Sequence, residues 1–124
     1  MKTRRLGRTG LDVSELAFGG GWVGGILIHQ NDEIPRAAVS RAFAAGINLN
    51  HPSPSYGEGR SESALGRLLP EIDGEPWLAT KVKIDAGTPE DAAGQVERSI
   101  TASLERLRRT SVDILQLHNP IAAV

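Results

Sequence analysis

Apolar residues fall into two patterns that alternate along the chain. Short runs that are wholly apolar, or alternately apolar and polar, predict four strands, at residues 16–18, 47–51, 77–82 and 112–118. Ahead of them, two short extended pieces within about residues 3–16 are joined by a turn at residues 8–10, which predicts a β-hairpin. Between the strands, apolar residues recur every three or four positions, as is typical of helices packed on one face.

Start signals and apolar faces predict three helices. Asn31 or Asp32 caps the first helix, and Pro35 lies in its first turn. Gly46 follows the end of this helix. Ser61 is expected to cap the second helix. The apolar side of the second helix is formed by Leu65, Leu68 and Leu69.

The third helix begins at residues 88–91, where a capping threonine and a proline precede two acidic residues at the positive end of the helix dipole. Its apolar stripe consists of Val96, Ile100, Leu104 and Leu107. Three arginines close to its C-terminus are expected to form a solvated helix end, and these are Arg106, Arg108 and Arg109.

Strands that alternate with helices predict right-handed crossovers and a parallel sheet. Each unit takes roughly 30–35 residues, the length of a βαβ unit. A doubly wound open sheet and a (β/α)8 barrel are both built in this way. A barrel needs ~200–250 residues, so the 124 residues would supply half of one. We expect one partial α/β domain over residues 1–124, with a hairpin, four strands and three intervening helices.

Composition narrows the range of functions. The net charge of −1 gives no excess of positive charge that would draw the chain to nucleic acid or to an anionic membrane. Without cysteine there are no disulfides and no thiolate chemistry. The basic N-terminus is not followed by an apolar stretch, and no apolar run approaches the ~20 residues of a membrane helix. We therefore expect a cytoplasmic protein.

Ionisable residues stand at the ends of three predicted strands. They are His51, Lys81 and His118, and Tyr56 follows five residues after His51. Each of them alone is more often a solvated residue at a strand end, but active sites of parallel α/β proteins lie where strands end. Together the four residues predict a site for proton transfer, in which an ammonium next to a tyrosine favours its use as a general acid.

Four motifs in the chain resemble those of the aldo-keto reductase family, in the same order. They are GRTGLDVSELAFGG, AGIN followed by SPSYGEGRSESALG, ATKV, and SLERLRRTSVDILQLHNP. The resemblance implies that the chain is the N-terminal half of a (β/α)8 TIM barrel preceded by a β-hairpin. It also implies NADP(H)-linked reduction of aldehydes or ketones, or the reverse oxidation of an alcohol.

The same resemblance assigns catalytic roles. Tyr56 matches the proton donor, Lys81 the lysine that lowers its pKa, and His118 the histidine that orients the carbonyl. The family's aspartate position is occupied by His51, and Asn50 stands where an apolar residue usually packs. An imidazole supplies no negative charge, so we expect Lys81 to be poorly oriented and its pKa to fall.

Cofactor contacts are expected in the glycine-rich loop that follows the first strand. The resemblance places Gly20, Gly21 and Trp22 at the nicotinamide end of NADP(H), whereas in the family most phosphate contacts come from the second half of the barrel. Residues 19–24 also match G-x-G-x-x-G, but no helix is predicted to open at the last glycine and no acid lies at 43–48. The three histidines lack the spacing of a metal site.

Two kinds of function remain open. One is an NADP(H)-dependent aldo-keto reductase that acts on a small carbonyl or alcohol. The other is a catalytically silent fragment or pseudoenzyme that serves as an assembly or binding module, which the substitution at His51 favours. Half a barrel has two unpaired edges, near residues 17 and 115, so we expect self-association or pairing with a complementary half-barrel.

Overall fold

The structure is a computed structural model of the 124-residue chain and describes residues 1–21, 25–28 and 31–120. Its strands are β1 Thr3–Arg5, β2 Asp12–Ser14, β3 Phe18–Gly19, β4 Leu49–His51, β5 Trp77–Val82 and β6 Ile114–Leu117. Its α-helices are α1 Glu33–Ala44, α2 Arg60–Leu68 and α3 Ala92–Leu107. Short 3₁₀ helices follow α2 at Leu69–Glu71 and precede α3 at Pro89–Asp91.

Four of the strands form a parallel sheet in the order β3-β4-β5-β6. The order in the sheet equals the order in the chain, as in one half of a (β/α)8 barrel. A doubly wound sheet would instead reverse its strand order at a switch point. This part of the chain therefore has the predicted α/β half-barrel architecture.

The two faces of the sheet have different roles. On β5, Leu78 packs into the buried core between sheet and helices, and Thr80 binds Glu62 of α2. Because side chains alternate along a strand, Lys81 lies on the opposite face, which in a barrel is the interior. The core residues that are almost fully buried are Leu27, Val39, Ala64, Leu65, Leu68, Leu69, Leu78 and Leu107.

The predicted hairpin is formed by the antiparallel pair β1 and β2, and it packs at the end of the sheet where the strands begin. Asn48, just before β4, accepts a hydrogen bond from the Ser14 amide at 2.7 Å and donates to the Asp12 carbonyl at 3.0 Å. The indole of Trp77, the first residue of β5, donates to the same Asp12 carbonyl at 2.9 Å. The hairpin thus covers the end of the sheet opposite to that where the strands finish.

The first strand of the sheet was predicted wrongly. It was expected at residues 16–18 and buried, but β3 begins at Phe18, and Leu16 is 60% exposed. The reason is the turn that leaves the hairpin, in which the Ser14 hydroxyl donates to the Leu16 carbonyl. β4 and β6 are also shorter than expected, whereas β5 has the predicted bounds.

Two predictions about the second and third helices are also corrected. Ser61 does not cap α2, because the helix starts at Arg60 after Gly59, whose φ of 85° is left-handed, and Ser61 lies buried in the first turn. Arg106 is only partly solvated, with 29% of its side chain exposed, because its Nε donates to the fully buried carboxylate of Glu62 at 2.7 Å. The ion pair fixes α3 against α2, since an unpaired buried carboxylate would be costly.

Candidate active site

Lys81 is the centre of a cluster at the end of the sheet where the strands finish. It is 6% exposed, and its ammonium donates to the His51 Nδ1 at 3.1 Å and to the Pro52 carbonyl at 2.9 Å. β4 and β5 are adjacent parallel strands, so the end of β4, which carries His51, lies close to the end of β5, which carries Lys81. Two acceptors therefore hold Lys81, and the expectation that it is poorly oriented is wrong.

The expected change in the pKa of Lys81 does occur. Burial, which disfavours the ammonium, lowers its pKa from 10.5 to about 8, and the charge of Glu62 on the other side of the sheet opposes this change. The pKa of His51 is also lowered, first by burial and then by the positive charge of Lys81. His51 is thus a neutral acceptor at pH 7, and it positions Lys81 without a counter-charge.

Tyr56 is brought to Lys81 by the loop between β4 and α2. The ammonium of Lys81 lies 4.7 Å from the centroid of the Tyr56 ring, within the range of a cation–π contact. A turn closed by the bond from the Tyr56 amide to the Ser53 carbonyl places the ring, and Gly57 continues it with a φ of 61°. A left-handed φ of this kind favours glycine, so the motif around the tyrosine is also what shapes the loop.

His118 completes the cluster from the residue after β6. Its ring meets that of Tyr56 edge to face, with centroids 5.9 Å apart and planes at 89°. The Ser53 and Ser55 hydroxyls each lie 3.4 Å from its Nδ1, long for hydrogen bonds. Burial, followed by the charges of Lys81 and Lys83, lowers the pKa of His118, so its imidazole is neutral. All four ionisable residues singled out from the sequence therefore lie together.

The glycines expected to approach a cofactor differ in what surrounds them. A Cβ on Gly20 would collide with the Ser61 hydroxyl and lie 3.1 Å from the Pro52 Cα, so packing disfavours a larger residue here. A Cβ on Gly21 would lie 3.4 Å from the Tyr56 ring, so a side chain here would cover part of the ring. Glycine at position 21 therefore leaves this side of the Tyr56 ring uncovered by a side chain. Trp22 lies outside the described residues.

Several residues of the site were not singled out from the sequence. Gln116 faces the same side of the sheet as Lys81, its register partner on β5. The signal that could have identified it is the alternation of apolar and polar residues at 114–118, which puts Gln116 and His118 on one face. Ser53, Ser55 and Glu62 had no comparable signal, because loop and tertiary contacts define their roles.

The alternatives to this site are a metal centre, a membrane-spanning helix and a dinucleotide-binding turn. Among the described residues, no group of three or more histidine and acidic side chains could hold a metal ion, and His29 lies outside them. Within the same ranges, no helix is long and apolar enough to span a bilayer. After the rival dinucleotide motif at residues 19–24, the described residues 25–28 form a turn, and α1 begins at Glu33.

Comparisons with known proteins agree with this geometry. The sequence model described as the Aldo/keto reductase family matches residues 15–124. The chain is 36% identical to L-galactose dehydrogenase of Arabidopsis thaliana, over 96% of this chain and 38% of that protein. It is 28% identical to the aldo-keto reductase YhdN of Bacillus subtilis, over 97% of this chain and 38% of the relative. The chain thus spans well under half the length of these relatives.

Solved structures show the same fold. The holo form of aldo-keto reductase AKR11C1 from Bacillus halodurans superposes with a TM-score of 0.79 and 27% identity, over 98% of this chain and 41% of that one. An aldo-keto reductase from Klebsiella pneumoniae, solved in complex with NADPH, has a TM-score of 0.74 and 23% identity, over 97% and 40%. Sequence and structure together establish that the chain belongs to the aldo/keto reductase family and forms part of its barrel.

Proposed function

We propose that the chain is the catalytic portion of an NADP(H)-dependent oxidoreductase that reduces an aldehyde or ketone, or carries out the reverse oxidation. The observation that supports this most is the cluster itself. Lys81 lies against Tyr56, and Tyr56 lies against His118, at the barrel end where active sites of this fold are found.

Each residue has a distinct role in this proposal. Tyr56 donates the proton to the carbonyl oxygen, because a phenol hydroxyl can act as a general acid. Lys81 stabilises the phenolate that remains, through the positive charge held beside the ring. Donation from Ser53 or Ser55 to Nδ1 leaves the His118 proton on Nε2, which can then bind and orient the carbonyl oxygen.

NADP(H) supplies the hydride when bound. Gly20, Gly21 and Trp22 are proposed to contact its nicotinamide end. The proposed partner is a small carbonyl or alcohol, and the proposed location is the cytoplasm. Family membership supports the cofactor, and the absence of a side chain at Gly21 keeps that side of the Tyr56 ring uncovered.

A catalytically silent assembly or binding module is the second candidate. One observation favours it: the acceptor that holds Lys81 is the neutral His51 rather than a carboxylate. The ammonium is therefore weakened as an electrostatic partner of Tyr56, and activity could be lost altogether while the fold is kept.

The test is an assay of NADPH oxidation with a simple aldehyde, using the full-length protein. Tyr56→Phe should abolish turnover, because a phenyl ring has no proton to donate. Lys81→Met should lower kcat by at least about a hundredfold, within the usual range for a group in proton transfer.

Lys2→Met is the matched control, since Lys2 is exposed on the hairpin side of the molecule, and its kcat should equal that of the wild type. An active protein whose turnover survives Tyr56→Phe would contradict the proposed mechanism. A protein that binds NADPH but turns over none of a panel of aldehydes, ketones and alcohols would favour the silent module.

A further inference from the structure

Asn119, the residue after His118, forms two hydrogen bonds to the backbone of Ile84. Its Oδ1 accepts from the Ile84 amide at 2.8 Å, and its Nδ2 donates to the Ile84 carbonyl at 2.8 Å. One side-chain amide thus satisfies both backbone groups of a residue in the loop that follows β5. These partners are one donor and one acceptor, so they also specify which end of the Asn119 amide is oxygen and which is nitrogen.

The two bonds continue the pairing between β5 and β6. At the end of the ladder, the His118 amide donates to the Val82 carbonyl at 2.7 Å. Hydrogen bonds of a parallel ladder recur every two residues, so the Ile84 carbonyl would next need the N–H of residue 120. That residue is Pro120, which has no N–H. The Asn119 side chain therefore supplies the donor that the backbone lacks.

We propose that Asn119 is a positioning residue for His118. The backbone of His118 is attached to β5 and the loop after it in two places, through its own amide and through the neighbouring Asn119 side chain. Lys81 belongs to the same strand β5 and contacts Tyr56, so this pairing places His118 relative to both residues. The contact stands on described hydrogen bonds, and only its kinetic consequence rests on the proposed function.

The contacts of the His118 ring itself are weak. The Ser53 and Ser55 hydroxyls lie 3.4 Å from its Nδ1, and the Tyr56 ring meets it edge to face with the centroids 5.9 Å apart. The position of the ring therefore depends on where the backbone holds the residue. Without the Asn119 side chain, the His118 amide would have to fix the end of this segment without support from the next residue.

The experiment is NMR of the full-length protein with protonated histidine and tyrosine rings in a deuterated background. The signals of His118 and Tyr56 are assigned by their loss in His118→Gln and Tyr56→Phe. Wild type should show a nuclear Overhauser effect between the two rings. Asn119→Leu keeps a side chain of similar size without donor or acceptor, and it should lose most of this signal. A signal of wild-type intensity in Asn119→Leu would overturn the proposal.

Hydrogen exchange at the Ile84 amide tests the contact without any variant. A loop amide exchanges quickly unless a hydrogen bond protects it, and the Ile84 amide donates to the Asn119 side chain. We expect this amide to be protected in the wild type. Exchange at the rate of an unstructured peptide would overturn the proposal, even if Asn119→Leu failed to fold.

Gln95→Leu is the matched control for the kinetic consequence. The Gln95 side chain of α3 also bonds to the backbone of the loop after β5, at the Asp85 amide and the Thr88 carbonyl, but it is not next to His118. A small displacement of an orienting group costs up to about a hundredfold in rate, so Asn119→Leu should lower kcat by at least about tenfold. Gln95→Leu should keep the wild-type kcat, and equal losses in the two variants would overturn the proposal.

A double variant shows whether Asn119 acts through His118. Added to His118→Ala, Asn119→Leu should lower kcat no further, because the ring that it positions is gone. A further tenfold loss would overturn the proposal. A protein with the contact between the rings and a protected Ile84 amide, but without reductase activity, would refute the proposed function and leave the role of Asn119 in placing His118 intact.

Discussion

At the scale of single residues, His51 separates two tasks that one carboxylate could perform together. It holds Lys81 in place through Nδ1, at 3.1 Å, but brings no negative charge. The negative charge that raises the pKa of Lys81 is that of Glu62, which lies on the other face of the sheet, engaged with Thr80 and Arg106. Lys81 is therefore well placed and poorly stabilised as a cation.

We predict that His51→Asp increases activity. A carboxylate at this position would accept from Lys81 and also raise its pKa, which strengthens the charge beside Tyr56. Each 1.36 kcal/mol is tenfold in rate, so kcat for a simple aldehyde should rise by at least about tenfold in the completed barrel. Tyr56→Phe added to His51→Asp should abolish the gain. An unchanged kcat in His51→Asp, with Tyr56→Phe still inactive, would show that His51 is a fully adequate replacement.

The lowered pKa of Lys81 predicts how stability depends on pH. Between about 8 and 10.5 the folded protein binds fewer protons at Lys81 than the unfolded one, so stability rises with pH across this window. At 1.36 kcal/mol per pKa unit, the free energy of unfolding increases by at most roughly 3 kcal/mol across this window. Below pH 8, Lys81 stays charged in the folded protein, and the full cost of burying its ammonium remains. Urea unfolding of the completed barrel at several pH values should show the rise in the wild type and in Lys2→Met. Lys81→Met should lack it, and equal slopes for wild type and Lys81→Met would contradict the assignment.

At the scale of elements, the site depends on how closely α2 packs against α3. A Cβ on Gly66 of α2 would collide with the Arg106 carbonyl of α3, so the two backbones are in contact there. The same approach allows Arg106 to reach the buried Glu62, whose other oxygen accepts from Thr80 at 2.5 Å. The two helices and β5, which carries Lys81, are joined through this one carboxylate.

We predict that Gly66→Ala destabilises the completed barrel by about 1–3 kcal/mol, because two backbones have to move apart. Gly94→Ala is the matched control within α3, since its Cβ would meet only the mobile ends of Asp91 and Arg98, both exposed. Alanine is the better helix former there, so Gly94→Ala should change stability by less than about 1 kcal/mol. Urea denaturation measures the stability change caused by each substitution. Equal losses of stability in Gly66→Ala and Gly94→Ala would contradict the close contact between α2 and α3.

The sequence was informative where a pattern is local. Residues 77–82 predicted β5 with its observed bounds, because apolar and β-branched residues occur together there. The start of α2 was missed because it depends on the left-handed Gly59 rather than on a capping side chain. Arg106 was misassigned because its partner Glu62 is 44 residues away along the chain. An ion pair between residues so far apart in sequence depends on tertiary packing, and the spacing of apolar residues along the chain does not predict it.

At the scale of the whole molecule, the two ends of the sheet have separate roles. The hairpin closes one end through Asn48 and Trp77, and the cluster around Lys81 occupies the other. The two outer strands of the described sheet, β3 and β6, each pair on one side only within the described ranges. Leu115 and Leu117 of β6 are 40% and 67% exposed, on the face that the helices cover elsewhere.

We predict that the 124-residue chain, expressed alone, forms dimers or larger species. An unpaired strand edge flanked by apolar residues is a template for another chain, and the second copy or a complementary half-barrel supplies the partner. Sedimentation velocity at micromolar concentration should show association, and Leu117→Lys should weaken it. A monomer that unfolds cooperatively at this concentration would contradict the prediction.

The sequential order of the strands has a consequence for synthesis on the ribosome. Each strand of the sheet pairs with the one made just before it, so β4 can add to β3, β5 to β4 and β6 to β5 as the chain emerges. Contacts between segments close in sequence form early and quickly. Tyr56, Lys81 and His118 can therefore be assembled as soon as residue 118 has left the exit tunnel.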